Sequence, residues 1–133
     1  MNEIQRTNRI DGLPEPTGPW NWTVVWKSLV FVSGVRGIDP KTGKPADDDE
    51  TRLALIFSHL RGILEEAGSS LDCVLSSTVY VTDMVRLRPM VNNAYVTAFG
   101  SSFPTRTIVQ VAALNQNDSI EIEVVAVKRD VCA

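Results

Sequence analysis

Charged side chains interrupt two strand-like segments near the end of the chain. Arg106 lies within FPTRTIVQVAAL, and Glu121 and Glu123 lie within SIEIEVVAVKR. A guanidinium can bind a carboxylate through two hydrogen bonds, and a glutamate can accept a proton from water and return it. Because an unpaired buried ion is strongly destabilising, each group needs a partner or a ligand. The residue types therefore fit either a cross-strand ion pair between Arg106 and Glu121 or a site for an acidic ligand.

The faces of these strands indicate where such a site would lie. Side chains on a strand point alternately to its two faces. Arg106 shares a face with Ile108 and Gln110, whereas Glu121 and Glu123 lie opposite the apolar face of their own strand. The apolar face can pack on helices, and a sheet whose other face is half apolar commonly meets another subunit there. We therefore expect Arg106 and a glutamate to lie in or beside a cleft between subunits.

The elements that carry these residues begin with an extended N-terminal arm, residues 1–19, which contains three prolines. The remaining residues, 20–133, are predicted to form a single domain, since a chain of 133 residues fits one domain with a real core. The segments WTVVW and LVFVSG predict two strands joined at Lys27 and Ser28.

Two helices are predicted between the later strands. The acidic run ADDDETR can cap the first helix, apolar residues then recur every three or four positions, and Gly68 can end it. The strand VLSSTVYVTD ends at Asp83, and the second helix is predicted from about Arg86 to Phe99 with Pro89 in its first turn. The order β-β-α-β-α-β-β predicts an α+β fold with both helices on one face of a sheet.

Composition excludes several functional classes. The net charge is -3, and no basic cluster is longer than two residues, which argues against a nucleic-acid partner. No apolar run approaches the ~20 residues of a membrane helix, so no membrane partner is expected. With His59 as the only histidine, a histidine metal site and a Ser-His-Asp triad are both disfavoured.

Other single residues have structural interpretations. Cys73 and Cys132 lack metal-site spacing, so we expect reduced thiols and a cytoplasmic protein. His59 is expected in a packing or surface role, and Glu123 as an ion-pair partner. Tyr95 fits the apolar stripe of the second helix. Trp22 and Trp26 share a strand face and are interpreted as packing residues.

From residue 18 to residue 129 the chain resembles the Rid family, the reactive intermediate deaminases also known as YjgF-like proteins. The matching segments, in family order, are VFVSG, IDPKTGKP, ILEEAG, TVYVTDM, VNNAYVTAF, FPTRTIVQVAAL and IEIEVVAV. The resemblance implies a chorismate-mutase-like mixed sheet with two helices packed on one face. It also implies a homotrimer with ligand sites in the clefts between subunits, and hydrolysis of enamines and imines to carbonyl compounds and ammonia without cofactor or metal.

The resemblance also implies roles for individual residues. Arg106 falls on the arginine of the family's P-x-R-[ST] motif, which holds the substrate carboxylate. Glu121 falls on the first glutamate of E-I-E, which is associated with the water. Gly34 falls on the glycine whose backbone amide faces the ligand, and Asn92 falls on a helix asparagine near the site.

The chain departs from the family pattern at three places. Trp20 stands where the family usually has tyrosine, which keeps an aromatic wall but replaces a hydroxyl with an indole N–H. Ile108 stands where members often have cysteine. Arg36 enters the loop after Gly34, where it is either an exposed loop arginine or a second cation for a second substrate carboxylate.

These features favour an enamine or imine deaminase acting on 2-aminoacrylate-like or 2-aminomuconate-like acids. Arg106 and Glu121 would be catalytic, and Gly34, Trp20, Asn92 and Arg36 would line the cleft. The alternatives are a trimer that binds and senses metabolites without catalysis, and a protein-interaction or chaperone-like protein.

Overall fold

The computed structural model describes residues 3–132 as one mixed six-stranded sheet with helices on one of its faces. The strand order across the sheet is β1-β2-β3-β8-β6-β7, and all neighbours are antiparallel except the parallel pair β6 and β7. The strands are β1 (Gln5–Thr7), β2 (Thr23–Trp26), β3 (Leu29–Val35), β4 (Ile38–Asp39), β5 (Lys44–Pro45), β6 (Val74–Val81), β7 (Thr105–Gln110) and β8 (Ile120–Val127). β4 and β5 form a separate small hairpin.

The three helices are α1 (Asp49–Glu66), α2 (Met84–Phe99) and α3 (Arg129–Cys132). Asp48 caps α1 by accepting the Thr51 backbone N–H at 2.8 Å, and Gly68 follows the helix with φ +78°, as the sequence predicts. The apolar stripe of α1 packs with that of α2 on alternate residues of the strands. This core includes Ile56, Leu60, Leu87, Val91, Val79, Ile122 and Val124.

The second helix begins earlier than predicted. Asp83 caps it by accepting the Arg86 backbone N–H, so α2 begins at Met84 rather than near Arg86. Pro89 therefore lies in the second turn, not the first. The capping carboxylate, rather than the proline, sets where the helix begins.

The N-terminal region differs from the predicted arm. Residues Gln5–Thr7 pair with β2 and so extend the sheet at its edge. The neighbouring tryptophans also differ from each other, because Trp22 is buried whereas Trp26 is 41% exposed. The interpretation of both as packing residues is wrong for Trp26 within a single chain.

The cysteines form a disulfide, so the prediction of reduced thiols is wrong. Cys73 and Cys132 are joined across 59 residues with their Cα atoms 5.5 Å apart. The chain end returns to this position because the Arg129 backbone N–H donates to the Gly68 carbonyl at 2.9 Å. The expectation of a cytoplasmic protein loses the support that it drew from the cysteines.

One face of the sheet is free of helices. Glu121 and Glu123 point to this open face, because the alternate residues of β8 are buried under the helices. Apolar side chains lie on it as well, among them Phe31 and Val109, which are 44% and 37% exposed. The open face is thus half apolar, as the sequence predicts.

Candidate functional site: a cleft around Glu121

A cleft of about 500 Å³ opens beside the end of β3. Its walls come from the N-terminal arm, the β4–β5 hairpin, the turn before β8, and β8 itself. The lining residues are Pro14, Glu15, Thr17, Trp20, Trp22, Ser33, Gly34, Arg36, Ile38, Pro40, Gly43, Asn115, Gln116 and Glu121. Four of the six predicted site residues, Trp20, Gly34, Arg36 and Glu121, are therefore brought together.

A β-bulge brings the backbone of Gly34 against Glu121. The register between β3 and β8 shifts between Val32 and Val35, so that Ser33 and Gly34 together oppose a single residue of β8. A Cβ atom at position 34 would lie 2.5 Å from Glu121 Oε2, well inside contact distance. Only glycine allows this carboxylate to rest on the strand backbone.

Burial raises the pKa of the Glu121 carboxyl above its ordinary value. Arg36 lowers that pKa, with its Nε atom 3.8 Å from Glu121 Oε1, while the negative charges of Glu123 and Asp118 raise it. The Glu121 side chain keeps 29% of its surface exposed, and the group lines the cleft. A carboxylate of raised pKa that faces solvent in a cleft is suited to accepting a proton from water.

Glu123 is not the ion-pair partner that was expected. It accepts a hydrogen bond from the Tyr80 hydroxyl on the neighbouring strand, and it forms no ion pair within residues 3–132. This bond, with burial and the charges of Glu123 and Glu121, raises the pKa of Tyr80 to about 12. The carboxylates paired with Arg36 are therefore those of Asp118 and Glu121, and not that of Glu123.

Arg36 is held by the protein rather than exposed to solvent, so the interpretation as an exposed loop arginine is wrong. Its side chain is only 9% exposed. The Nη1 atom donates to Asp118 Oδ2 at 2.8 Å and to the Asn115 carbonyl at 3.0 Å, and Nη2 donates to Gln116 Oε1 at 2.9 Å. These contacts fix the guanidinium plane at one end of the cleft.

Two tryptophans form the apolar wall of the cleft. The rings of Trp20 and Trp22 meet edge to face, with centroids 5.0 Å apart and planes at 90°. Trp22 is anchored because its Nε1 donates to the Pro14 carbonyl at 3.1 Å. Trp20 thus takes the place predicted for it, as a flat wall beside Gly34 and Glu121.

Arg106 lies apart from this cleft, on the other face of the sheet. β6 separates β7 from β8, so the alternative of a cross-strand ion pair with Glu121 is wrong. The Arg106 guanidinium carbon lies 5.0 Å from the ring centroid of Tyr95 on α2. Tyr95 donates to Ser77 Oγ at 2.9 Å, and Ser77 is the register partner of Arg106 on β6.

We call Arg106, Tyr95 and Ser77 the Arg106 corner. Arg106 is half-buried there and makes no ion pair within the described residues 3–132. Asn92 lies three positions from Tyr95 on α2, so the two share a face of that helix, and Asn92 does not line the Glu121 cleft. Within one chain, therefore, the predicted site residues fall into two groups on opposite faces of the sheet.

Sequence reasoning missed the turn that closes the cleft. Asn115, Gln116 and Asp118 all hydrogen-bond to Arg36, and Gln116 Nε2 also donates to the Gly43 carbonyl at 3.0 Å. Gln116 has a φ of 56°, a left-handed conformation that is uncommon outside glycine. The polar run NQND between two strands was the available signal, but such runs usually mark ordinary turns.

The remaining candidates have structural roles. His59 is buried, and its Nε2 lies 2.8 Å from the Ile38 carbonyl, which confirms the packing role. Across residues 3–132, no cluster of three His, Cys, Asp or Glu side chains is arranged to hold a metal ion. In that same part of the chain, no helix has both the length and the apolar character needed to cross a membrane.

Comparison with known proteins places the chain in a family. The family model described as Endoribonuclease L-PSP matches residues 11–128. A RutC family protein of Pyrococcus horikoshii is 39% identical over 119 residues, which are 89% of this chain and 94% of that protein. The 2-iminobutanoate/2-iminopropanoate deaminase of Salmonella typhimurium is 31% identical over 128 residues, 95% of this chain and 100% of that protein.

Solved structures give the same result. The YjgF gene product of E. coli superposes with a TM-score of 0.84 at 30% identity, covering 94% of this chain and 100% of that one. The sequence resemblance, the sheet order with both long helices on one face, and these matches agree. The chain belongs to the Rid, or YjgF-like, family, whose model carries the description Endoribonuclease L-PSP.

Proposed function

We propose that this protein is a deaminase that hydrolyses enamines and imines bearing a carboxylate, and that it does so as a homotrimer. The observation that carries the proposal is that the two predicted catalytic residues, Glu121 and Arg106, lie on opposite faces of the sheet. Glu121 lines a cleft, and the pKa of its carboxyl is raised. Arg106 lies on the opposite face of the sheet and has no ion-pair partner among residues 3–132. Names of relatives such as the Salmonella typhimurium deaminase support the reaction class.

The open face of the sheet supports the proposal that copies of this chain associate as a homotrimer. Trp26, Phe31 and Val109 are 41%, 44% and 37% exposed on it, an apolar content that favours burial against another copy. β7 is an edge strand of the sheet. If neighbouring copies meet along the open face and past this edge, the Arg106 corner of one subunit can approach the Glu121 cleft of the next. Arg106 then gains a carboxylate ligand and the cleft gains a cation.

The chemistry needs one anchor and one proton carrier. Arg106 holds the substrate carboxylate in a two-pronged contact, which places the imine carbon beside Glu121. Solvent protonates an enamine at carbon, or an imine at nitrogen, and either step gives an iminium ion. Glu121 then takes a proton from water while the water oxygen bonds to the iminium carbon, which gives a neutral carbinolamine.

The collapse of this adduct returns the proton. The carbinolamine nitrogen receives the proton from Glu121 and the C–N bond breaks. Ammonia leaves as the carbonyl forms, and the hydroxyl proton passes to solvent, which replaces the proton that solvent supplied at the start. The Gly34 backbone lies against the same carboxylate and the Trp20 ring forms a flat wall for the substrate. The atoms of one water and one imine are thereby converted to one ketone or aldehyde and one ammonia.

RNA cleavage, which the family description names, fits this cleft poorly. The cleft is lined by Glu15 and Glu121, and its one arginine is already paired with Asp118. Phosphate binding requires a concentration of unpaired basic groups. A net charge of -3 on the chain acts in the same direction.

The direct test is ammonia release from freshly generated 2-aminoacrylate and from 2-aminomuconate. Wild type should accelerate release over the spontaneous reaction, and Arg106→Ala should lose the acceleration. Arg88→Ala is the matched control, because Arg88 is an exposed arginine on α2. An absence of acceleration with either compound would instead favour a sensing or interaction protein.

A further inference from the structure

Three of the five N–H donors of Arg36 are hydrogen-bonded within the protein, among them both donors of Nη1. A guanidinium has five N–H bonds. Two of them, on Nη1, go to Asp118 and Asn115, one on Nη2 goes to Gln116, and the Nε–H faces Glu121 at 3.8 Å. A bidentate contact needs two parallel donors, and with both Nη1 donors used such a pair can lie only on the Nε side of the guanidinium. A ligand carboxylate there would lie against the Glu121 carboxyl, 3.8 Å from Nε.

The positive charge of Arg36 is also neutralised by a buried carboxylate. Asp118 is 2% exposed and lies 2.8 Å from Nη1, so this carboxylate neutralises the cation inside the protein. Glu15 and Glu121 line the same cleft. A second substrate carboxylate at this end would meet two negative groups and a cation that is already paired.

A series of alternating charges ties Arg36 to the start of α1. Asp118 Oδ1 lies 3.7 Å from Arg52 Nη1, and Arg52 Nε donates to the Ala46 carbonyl at 2.6 Å. Arg52 Nη1 also donates to Ser119 Oγ at 2.9 Å, and Ser119 donates to Asp49 at 2.7 Å. Because Asp49 and Arg52 belong to the first turn of a long helix, Arg36 is held on a rigid support.

From these contacts we infer that Arg36 is a positioning residue for Glu121 and not an anchor for a second substrate carboxylate. Asp118, Asn115 and Gln116 hold its guanidinium so that Nε faces the carboxylate that rests on Gly34. Arg36 thereby fixes the direction of that carboxylate and favours its ionised form. The inference rests on the proposed deaminase function. It assigns control of the orientation and pKa of the Glu121 carboxyl to residues outside the family motifs.

The charged and titratable groups that face Glu121 act in both directions. Arg36 lowers its pKa, whereas Asp118 on the turn and Glu123 on the same strand raise it. Tyr80 lies opposite Glu121 on β6 and stays un-ionised at neutral pH, and Glu15 across the cleft is paired with Arg9. Among residues 3–132, Arg36 is the one cation that lowers the pKa of Glu121, so its loss leaves only the carboxylates that raise that pKa.

The test compares Arg36→Gln with Arg36→Lys, and uses Arg88→Gln as the matched control on the exposed side of α2. In Arg36→Gln we expect kcat to fall roughly tenfold or more for a monocarboxylate and a dicarboxylate substrate alike, with little change in KM. The acid limb of the pH–rate profile should move to higher pH. Arg36→Lys keeps the cation and should restore the limb while regaining only part of kcat. Arg88→Gln should match wild type.

A second readout does not depend on turnover. ¹³C NMR titration of the Glu121 carboxyl should show a higher pKa in Arg36→Gln than in wild type, and a pKa near that of wild type in Arg36→Lys. An unchanged Glu121 titration in Arg36→Gln would overturn the inference, as would a defect confined to the KM of the dicarboxylate. If wild type has no deaminase activity, the proposed function fails, and this titration still decides what Arg36 does to Glu121.

Discussion

The Glu121 cleft and the Arg106 corner differ in how much of their environment the chain itself supplies. Glu121 contacts the backbone of Gly34 and faces Arg36, which the buried carboxylate of Asp118 holds in place. Arg106 has an aromatic ring beneath it and no carboxylate among residues 3–132. The carboxylate of the cleft has partners within its own chain, whereas the guanidinium of the corner has no anionic partner among residues 3–132. This is the arrangement expected if Arg106 supplies a cation to the cleft of another copy.

The largest effects should separate the two regions kinetically. Arg106→Ala should lower kcat/KM on the order of a thousandfold, because a two-pronged charged contact to the substrate is lost. Glu121→Gln should lower kcat by roughly 10²–10⁴, because the variant cannot transfer a proton while Arg106 still binds the substrate carboxylate. Steady-state ammonia release at several substrate concentrations measures both. Equal effects on KM and kcat in the two variants would remove the distinction between anchor and proton carrier.

The free energy of unfolding should depend more on the Glu121 cleft than on the Arg106 corner. Asp118→Ala leaves Arg36 and Arg52 without their shared buried partner, so we expect a loss of about 3–5 kcal/mol in the free energy of unfolding. Arg106→Ala removes only a partly exposed contact with Tyr95 and should cost about 1 kcal/mol or less. Urea unfolding at one protein concentration makes the comparison. A larger loss in Arg106→Ala would mean that the corner is a structural ion site.

The smallest effect is a pH-dependent gain in stability. The folded-state pKa of Glu121 is raised, so its contribution to stability is greatest below the unfolded pKa and is lost as pH rises through the folded value. Glu121→Gln removes that loss and should raise Tm near neutral pH. The difference from wild type should shrink as pH falls toward 4.5. A Tm difference that grows on acidification would contradict the direction of the pKa shift.

Much of the fold followed from local patterns. The stripe of α1, its Gly68 stop, and the β2–β3 hairpin depend on neighbours in sequence, and all were predicted. A cap from the acidic run was predicted as well, and the structure selects Asp48 from it. The short strand Gln5–Thr7 was missed because three polar residues carry no alternation signal. The start of α2 lies two residues before the predicted one because the Asp83 carboxylate caps the helix, whereas the prediction placed Pro89 in the first turn.

The site was predictable only where a motif marks it. Gly34, Trp20 and Glu121 were grouped through the family resemblance, and the structure places them around one cleft. Asp118 carries no motif, and its contact with Arg36 spans 82 residues of sequence, so only the folded chain reveals it. The separation of Arg106 from Glu121 arises because the parallel β6–α2–β7 connection places β7 beside β6 and away from β8.

We propose that each active site takes Glu121 from one subunit and Arg106 from another. Equal amounts of Arg106→Ala and Glu121→Gln subunits can be mixed under conditions that exchange subunits, with exchange verified by mass spectrometry of differently tagged chains. Since random mixing in a cyclic trimer leaves both groups intact in one site of four, activity should recover to about a quarter of wild type. Verified exchange with no recovery above the separate variants would show that the two residues do not share a site between subunits.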